Sequence, residues 1–257
     1  MKKMQMEPPR ILAIETSGQR GAIALGRGGD LLEEVVFATQ RERARDLLPT
    51  IDEAVRRQGW TPREIDHCYI SVGPGSFTGL RVAVTFARHL ALATDCRLCA
   101  VPTLSVMAQN ALEISPCPDL VVAFLDARRD QVFAAACAPA DGIYEPSGDV
   151  RMVAPGDFLE SLPRSAVVLG AGVTHHRSAI DAAGCVAADE SLWAPTATNV
   201  LKLGWRMAQS EQFVAAPDLV PAYVRRPEAE EVWDRRQAES ENRQQQVADE
   251  RVDRQRD

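Results

Sequence analysis

The chain has 257 residues, with 29 Lys+Arg against 36 Asp+Glu for a formal charge of −7, and it is 46% hydrophobic and 25% charged. These are ordinary values for a soluble globular protein and exclude a wholly disordered chain; at this length folding buries roughly 70 to 75% of the surface an unfolded chain exposes, so a core needs no disulfide staples. The acidic balance argues against a surface that grips nucleic acid all over, because such binding rests on Lys and Arg neutralising phosphates, while a local basic patch stays allowed.

The first ten residues start positively but contain no apolar h-region, and no run of apolar residues is long enough for a membrane span, so the expectation is a cytoplasmic protein. Arg10 to Leu25 reads as strand, turn and strand, with Glu15-Thr16-Ser17-Gly18 in the turn, and Leu31 to Phe37 adds a third extended run, giving three antiparallel strands. Ala44, Leu47, Leu48, Ile51, Ala54 and Val55 recur at helical spacing and predict an amphipathic helix over 42–58, in which Pro49 must mark the first turn or a kink. A short strand over 67–72 leads into Gly73-Pro74-Gly75-Ser76-Phe77-Thr78-Gly79 and a second helix over 78–94. In that helix Arg81, Thr85, Arg88 and His89 form a narrow polar stripe, and apolar residues cover most of the remaining circumference. Such a helix is either central in its own domain or shares a face with a partner. A strand over 98–101 completes a β-β-β-α-β-α-β order, which points to a mixed sheet with helices on its faces.

The second half repeats this character less clearly. Residues 103–114 are helical, 120–125 and 131–137 are strands flanking Asp126-Ala127-Arg128-Arg129-Asp130, 167–169 is a strand before Gly170-Ala171-Gly172, 198–209 is a late helix and 219–224 a last extended run. Composition shifts at Pro227: residues 227–257 hold 10 acidic and 6 basic residues and few large apolar ones, so they take four of the negative charges and cannot build a core. They read as a disordered or fraying helical tail.

The glycine-rich loop Gly73–Gly79 lies between a strand and a helix N-terminus, where free N–H groups and the helix dipole can hold an anion. Its Gly-x-Gly-x-x-x-Gly spacing is neither a Walker A loop nor the dinucleotide register, and the plain reading is that the glycines permit a tight turn and close packing. Glu15, Thr16 and Ser17 stand where a kinase-type ATPase would handle phosphate and magnesium, but the counterpart Asp126-Ala127-Arg128 lacks the glycine that would admit phosphate. Cys96 and Cys99 form the one CxxC, with no second pair at zinc-site spacing. His67, His89, His175 and His176 make no H-x-x-x-H or H-E-x-x-H pair; His175 and His176 read as loop residues after Gly172. No G-x-S-x-G elbow is present. No catalytic residue and no metal site are assigned.

Ile11-Leu12-Ala13-Ile14-Glu15-Thr16, Arg41-Glu42 through Pro49, Gly73-Pro74-Gly75-Ser76-Phe77-Thr78-Gly79-Leu80-Arg81, Val101-Pro102-Thr103-Leu104, Asp126-Ala127-Arg128-Arg129 and Pro221 to Arg225 occur in the order of the bacterial TsaB (YeaZ) family. The chain resembles that family over residues 10–226, with Glu15 where the family's first strand usually ends in Asp and Arg43 where a histidine often follows Arg-Glu. The resemblance implies an α/β, actin-like, sugar-kinase-like and Hsp70-like fold of two ribonuclease-H-like domains with mixed sheets flanked by helices. The expected division is residues 1–103, a smaller domain over 104–226 whose last segment returns to the first, and the tail 227–257.

It further implies a non-catalytic partner that pairs with TsaD, is joined by TsaE and acts downstream of TsaC, in an assembly that transfers a threonylcarbamoyl group to the adenosine beside the anticodon of tRNAs reading codons that start with A. ATP and a metal are expected at the partner subunits and no cofactor on this chain alone; a homodimer can form when the partner is absent. The family pairs through helices that correspond to 42–58 and 78–94, which makes Leu47, Leu48, Ile51, Leu80, Val84, Phe86 and Ala87 the interface candidates. Arg81, Arg88, Arg128 and Arg129 are the phosphate partners if tRNA touches this chain, which it is expected to do through the complex. The competing reading is a freestanding ATP-dependent phosphotransferase of the same fold; an endopeptidase finds neither metal ligands nor a nucleophile.

Overall fold

The computed structural model describes residues 7–39 and 43–222, so the charged segment 227–257 and the end of the extended run expected at 219–224 lie outside the described residues. The first three strands, β1 (Arg10–Glu15), β2 (Arg20–Arg27) and β3 (Asp30–Thr39), are antiparallel, as their short polar turns require, while β4 (His67–Gly73) and β5 (Arg97–Pro102) run parallel to β1. Their order is β3-β2-β1-β4-β5. The parallel strands are joined through α1 (Arg43–Arg57) and α2 (Phe77–Thr94). Alternation along β1 sends Leu12 and Ile14 to the face covered by α1 and α2, and Ile11 and Ala13 to the opposite face.

The second half has the same wiring. From β6 (Val121–Arg128) the chain turns back through β7 (Gln131–Ala140), β8 (Ile143–Pro146) and β9 (Arg151–Val153), then runs through α4 (Pro155–Glu160), β10 (Val167–Leu169), α5 (Val173–Ala182) and β11 (Val186–Ala187). The sheet order is β11-β10-β6-β7-β8, with β9 paired to β7 and β10 and β11 parallel to β6. Read outward from β6, this is the order of the first sheet read outward from β1. The faint second-half signal in the sequence was therefore a shortened copy: β8, β9, β11 and α4 have two to six residues each, too few to develop a period.

Each half's last helix packs on the other half's sheet. From α3 (Thr103–Ala108), which continues as a 3-10 turn over 109–113, Leu104, Met107, Ala108 and Ala111 pack against β6, β7 and β10. Conversely, α6 (Ala197–Gln209) lays Val200, Leu201 and Leu203 against β1, β2, β4 and β5. Both sheets lie within one contact unit that ends at Ala222. Buried amides tie this middle layer: Gln109 donates to the Tyr144 carbonyl (2.8 Å) and accepts from the Tyr144 N–H (3.0 Å), while Asn199 donates to Asn110 Oδ1 (2.7 Å).

Two expectations change, and a third is narrowed. His175 and His176 are in α5 rather than a loop, and the kink at His176 (φ −121°, ψ 23°) separates an exposed His175 from a buried His176 whose Nε2 has no hydrogen-bond partner. Residues 219–222 form no strand, although the Ala222 N–H donates to the Val72 carbonyl at 2.7 Å. Pro49 sits well inside α1, beyond the first turn. Among the described residues no helix is long and apolar enough to cross a membrane.

Candidate functional site

In this fold the sheet's carboxyl edge, at the point between the parallel β1 and β4 where the strand order reverses, is where a ligand crevice would open. Here the β1–β2 turn and the glycine-rich loop meet. Glu15 at the end of β1 is fully buried, and its Oε1 accepts from the Ser17 N–H (2.5 Å), the Ser17 hydroxyl (2.5 Å) and the Gly18 N–H (3.3 Å). Its Oε2 is buried without a hydrogen-bond partner. Burial pushes the Glu15 carboxyl above its ordinary range, opposed by the Ser17 and Ser71 hydroxyls and the N–H groups of Ser17 and Gly18.

The loop is pinned from several sides. The Ser76 N–H donates to the Ser17 carbonyl (2.8 Å), the Thr16 hydroxyl to the Gly79 carbonyl (2.9 Å) and the Gly73 N–H to the Thr103 hydroxyl (3.1 Å). The Ser76 side chain caps α2 by accepting from the Gly79 N–H. Glycine at 75 is required for contact within the chain, since a Cβ there would stand 2.6 Å from both Cβ and the carbonyl oxygen of Ser17. Gly73, Pro74 and Gly79 are buried; Gly75, Phe77, Thr78 and Arg81 face outward, with Ser76 between, and the Arg81 guanidinium lies 3.7 Å over the Phe77 ring. Gly73, Ser76 and Gly79 thus spend their N–H groups on the chain itself, and an anion cradle needs such groups open.

The other family-motif pair sits on the β6–β7 hairpin. Asp126 is exposed and accepts from the Arg128 N–H at 2.9 Å, a local turn bond. After β10, Gly170 faces the Phe124 carbonyl oxygen, which a Cβ would approach to 2.2 Å, and Met107 closes the same space. Neither glycine turn has room for a Cβ, because Ser17 stands against Gly75 and Phe124 against Gly170. Cys96 and Cys99 do not converge on a metal either, since Cys96 joins the α1/α2 core and Cys99 the α6 core, and burial holds their thiols up at about 11 and about 12. Among the described residues no group of three or more His, Cys, Asp or Glu could hold a metal ion.

The interface candidates divide. Leu47, Ile51, Leu80, Val84 and Ala87 are buried in this chain's own core, so they offer no surface; Leu48 is 57% exposed and Phe86 is half-buried. The wide apolar arc of α2 has an internal explanation: the helix is flanked by β4, β5, α1 and the 3-10 turns at 62–64 and 216–218, with Leu219 buried in the same core. What faces outward is the stripe Phe77, Arg81, Thr85, His89 and Leu92, the last 74% exposed. Sequence reading missed Leu92 because it was counted with the apolar arc; its place four residues after Arg88 and three after His89 was the available signal.

Two sheets with the same five-strand order, the second carrying β9 in addition and each covered by the other's last helix, define an actin-like, sugar-kinase-like fold with two ribonuclease-H-like halves. Residues 31–233 match the family described as TsaD: tRNA N6-adenosine threonylcarbamoyltransferase. Proteins named tRNA threonylcarbamoyladenosine biosynthesis protein TsaB are similar to this chain in Bacillus subtilis, at 28% identity covering 87% of this chain and 97% of the relative, and in Escherichia coli, at 27% covering 84% and 94%. A Pseudomonas aeruginosa crystal structure, described as an uncharacterized protein with similarity to peptidase YeaZ, superposes with TM-score 0.76 at 26% identity, over 84% of this chain and all of that one. The chain belongs to the TsaB (YeaZ) family.

Proposed function

We propose that this chain is the non-catalytic partner subunit of the tRNA-modifying assembly that its relatives' names describe. It pairs with TsaD, TsaE joins the pair, and the complex transfers the threonylcarbamoyl group delivered by TsaC to the adenosine beside the anticodon, in the cytoplasm. ATP and metal are handled by the partner subunits, and tRNA is engaged through the complex. The observation that carries this reading is the self-sealed joint at Glu15 and Gly75: a phosphotransferase of this fold needs that carboxylate and that loop open to phosphate, and here Ser17 fills the space.

In this reading residues 1–103 and 104–226 act as two domains, and the first presents the partner face. That face is the outward stripe of α2 together with the exposed Leu48 of α1, and each large aliphatic side chain covered on association contributes roughly 1.5 to 3 kcal/mol. Without TsaD the same stripe supports a homodimer.

Reconstitution tests this directly. TsaD, TsaE and TsaC should modify tRNA only when this chain is added, and this chain alone should neither modify tRNA nor turn over ATP. Unaided modification, or ATP turnover by the isolated chain, would replace the subunit reading with the phosphotransferase one. Leu92→Asp should weaken capture of TsaD while leaving the thermal midpoint of the isolated chain unchanged, because its side chain lies on the surface. Undiminished capture would move the contact elsewhere.

A further inference from the structure

Glu15 is a buried titratable group that the partner role does not use. Its surroundings are one-sided: Oε1 takes three donors from Ser17 and Gly18, whereas Oε2 is sealed from solvent without a partner. A carboxylate oxygen left bare in a protein interior costs several kcal/mol, and the cost falls when the group takes up a proton. The groups acting on the carboxyl are the N–H and hydroxyl of Ser17, the Gly18 N–H and the Ser71 hydroxyl on β4, with the Thr103 hydroxyl at the start of α3 lying 3.4 Å beyond Ser71. Its cross-strand partner on β2 is Ala22. No charged side chain among the described residues acts on it.

We propose that Glu15 is a neutral carboxylic acid in the native chain at neutral pH, with its proton on the otherwise unpartnered Oε2, and that this proton closes the joint between the β1–β2 turn and the glycine-rich loop. The joint is therefore pH-sensitive: loss of the proton leaves an unpaired charge buried beside Ser17, whose carbonyl holds the Ser76 N–H. The proposal concerns the state of this carboxyl and stands whether or not the chain binds TsaD. The upward displacement of the Glu15 carboxyl by burial has the same sign. The folded chain then holds the proton more tightly than the unfolded one, so stability falls as pH rises from the ordinary glutamate value of 4.5 to the native midpoint, and is flat above it.

The test is carbon-13 NMR of the full chain labelled in its glutamate side chains, with the Glu15 carboxyl assigned through bonds to its backbone. Its resonance should sit at the protonated position at neutral pH and should not move when magnesium or potassium chloride is added. A carboxylate position at neutral pH overturns the proposal, and a midpoint lowered by either salt replaces the proton with a bound cation. Urea titrations supply an independent reading. Glu15→Gln keeps an oxygen for the three donors and an N–H₂ in place of the protonated Oε2, so its unfolding midpoint should match wild type at acid pH and exceed it on the alkaline side. A Glu15→Gln protein whose deficit against wild type grows with pH would show that the native group is the charged one.

Discussion

Gly73 ends β4 and Gly170 follows β10, the corresponding parallel strands of the two sheets, with nearly the same φ, +113° and +112°, yet the chain packs against the two turns with different chemistry. In the first half the loop's N–H groups go to a hydroxyl and a backbone carbonyl, Thr103 receiving the Gly73 N–H and Ser17 the Ser76 N–H, while Leu80 and the Ala222 backbone stand against Gly73. In the second half the neighbours are the Phe124 backbone and the Met107 methyl. The strand-to-strand turns differ in the same sense. Four residues, Thr16–Gln19, join β1 to β2 and fold over a buried Glu15, whereas Arg129 and Asp130 alone join β6 to β7, both left-handed (φ 53° and 56°) in the manner of a tight hairpin turn. One duplicated backbone thus carries a polar, proton-sensitive seal in one half and an apolar, proton-insensitive one in the other. Both turns pack their glycines against the chain itself.

The largest break in the comparison is expected from Gly170→Ala, because the new Cβ meets a backbone oxygen that cannot rotate away and the φ is one that L residues rarely adopt. A loss of about 3 kcal/mol or more, read as a drop of roughly 6 to 12 °C in thermal midpoint, is the expected outcome. Gly75→Ala should cost less, about 2 kcal/mol in urea titration, since Ser17 sits on an irregular turn that can give a little; a neutral result would show that the loop is not closed on Ser17 in solution. Thr103→Val removes the acceptor of the buried Gly73 N–H and should cost about 1 to 2 kcal/mol, with the loss confined to the first-half seal and visible as faster amide exchange at Gly73. The smallest change runs the other way. Asp130→Gly relieves a left-handed residue in the β6–β7 turn and should stabilise by about 0.4 to 1 kcal/mol, and a destabilised variant would mean that this turn is held by more than its backbone.

Much of this was legible in residue order. The three opening strands, α1, α2 and the glycine-rich loop announced themselves because each is long enough to show a period or a turn signal, and Glu15 stood out as a carboxylate at a strand end. The kinked α5 did not, since His175 and His176 interrupt its period, and the two-residue β11 offered no pattern at all. The five interface candidates that are buried show the limit most clearly. Periodicity correctly placed Leu47, Ile51, Leu80, Val84 and Ala87 on apolar faces, but a pattern of spacing carries no information about what covers a face.

The sequence by itself determined the β-β-β-α-β-α-β order, the absence of helical metal pairs and a family-specific string of motifs, because these depend on residue types a few positions apart. Only the tertiary structure decided that α2 is covered by this chain's own Leu219 segment and the turn at 62–64, that α3 and α6 exchange sheets, and that Ser17 and Phe124 fill the two glycine turns. Those contacts join residues dozens to more than a hundred positions apart, and burial is a property of the space they enclose rather than of any neighbourhood in the chain.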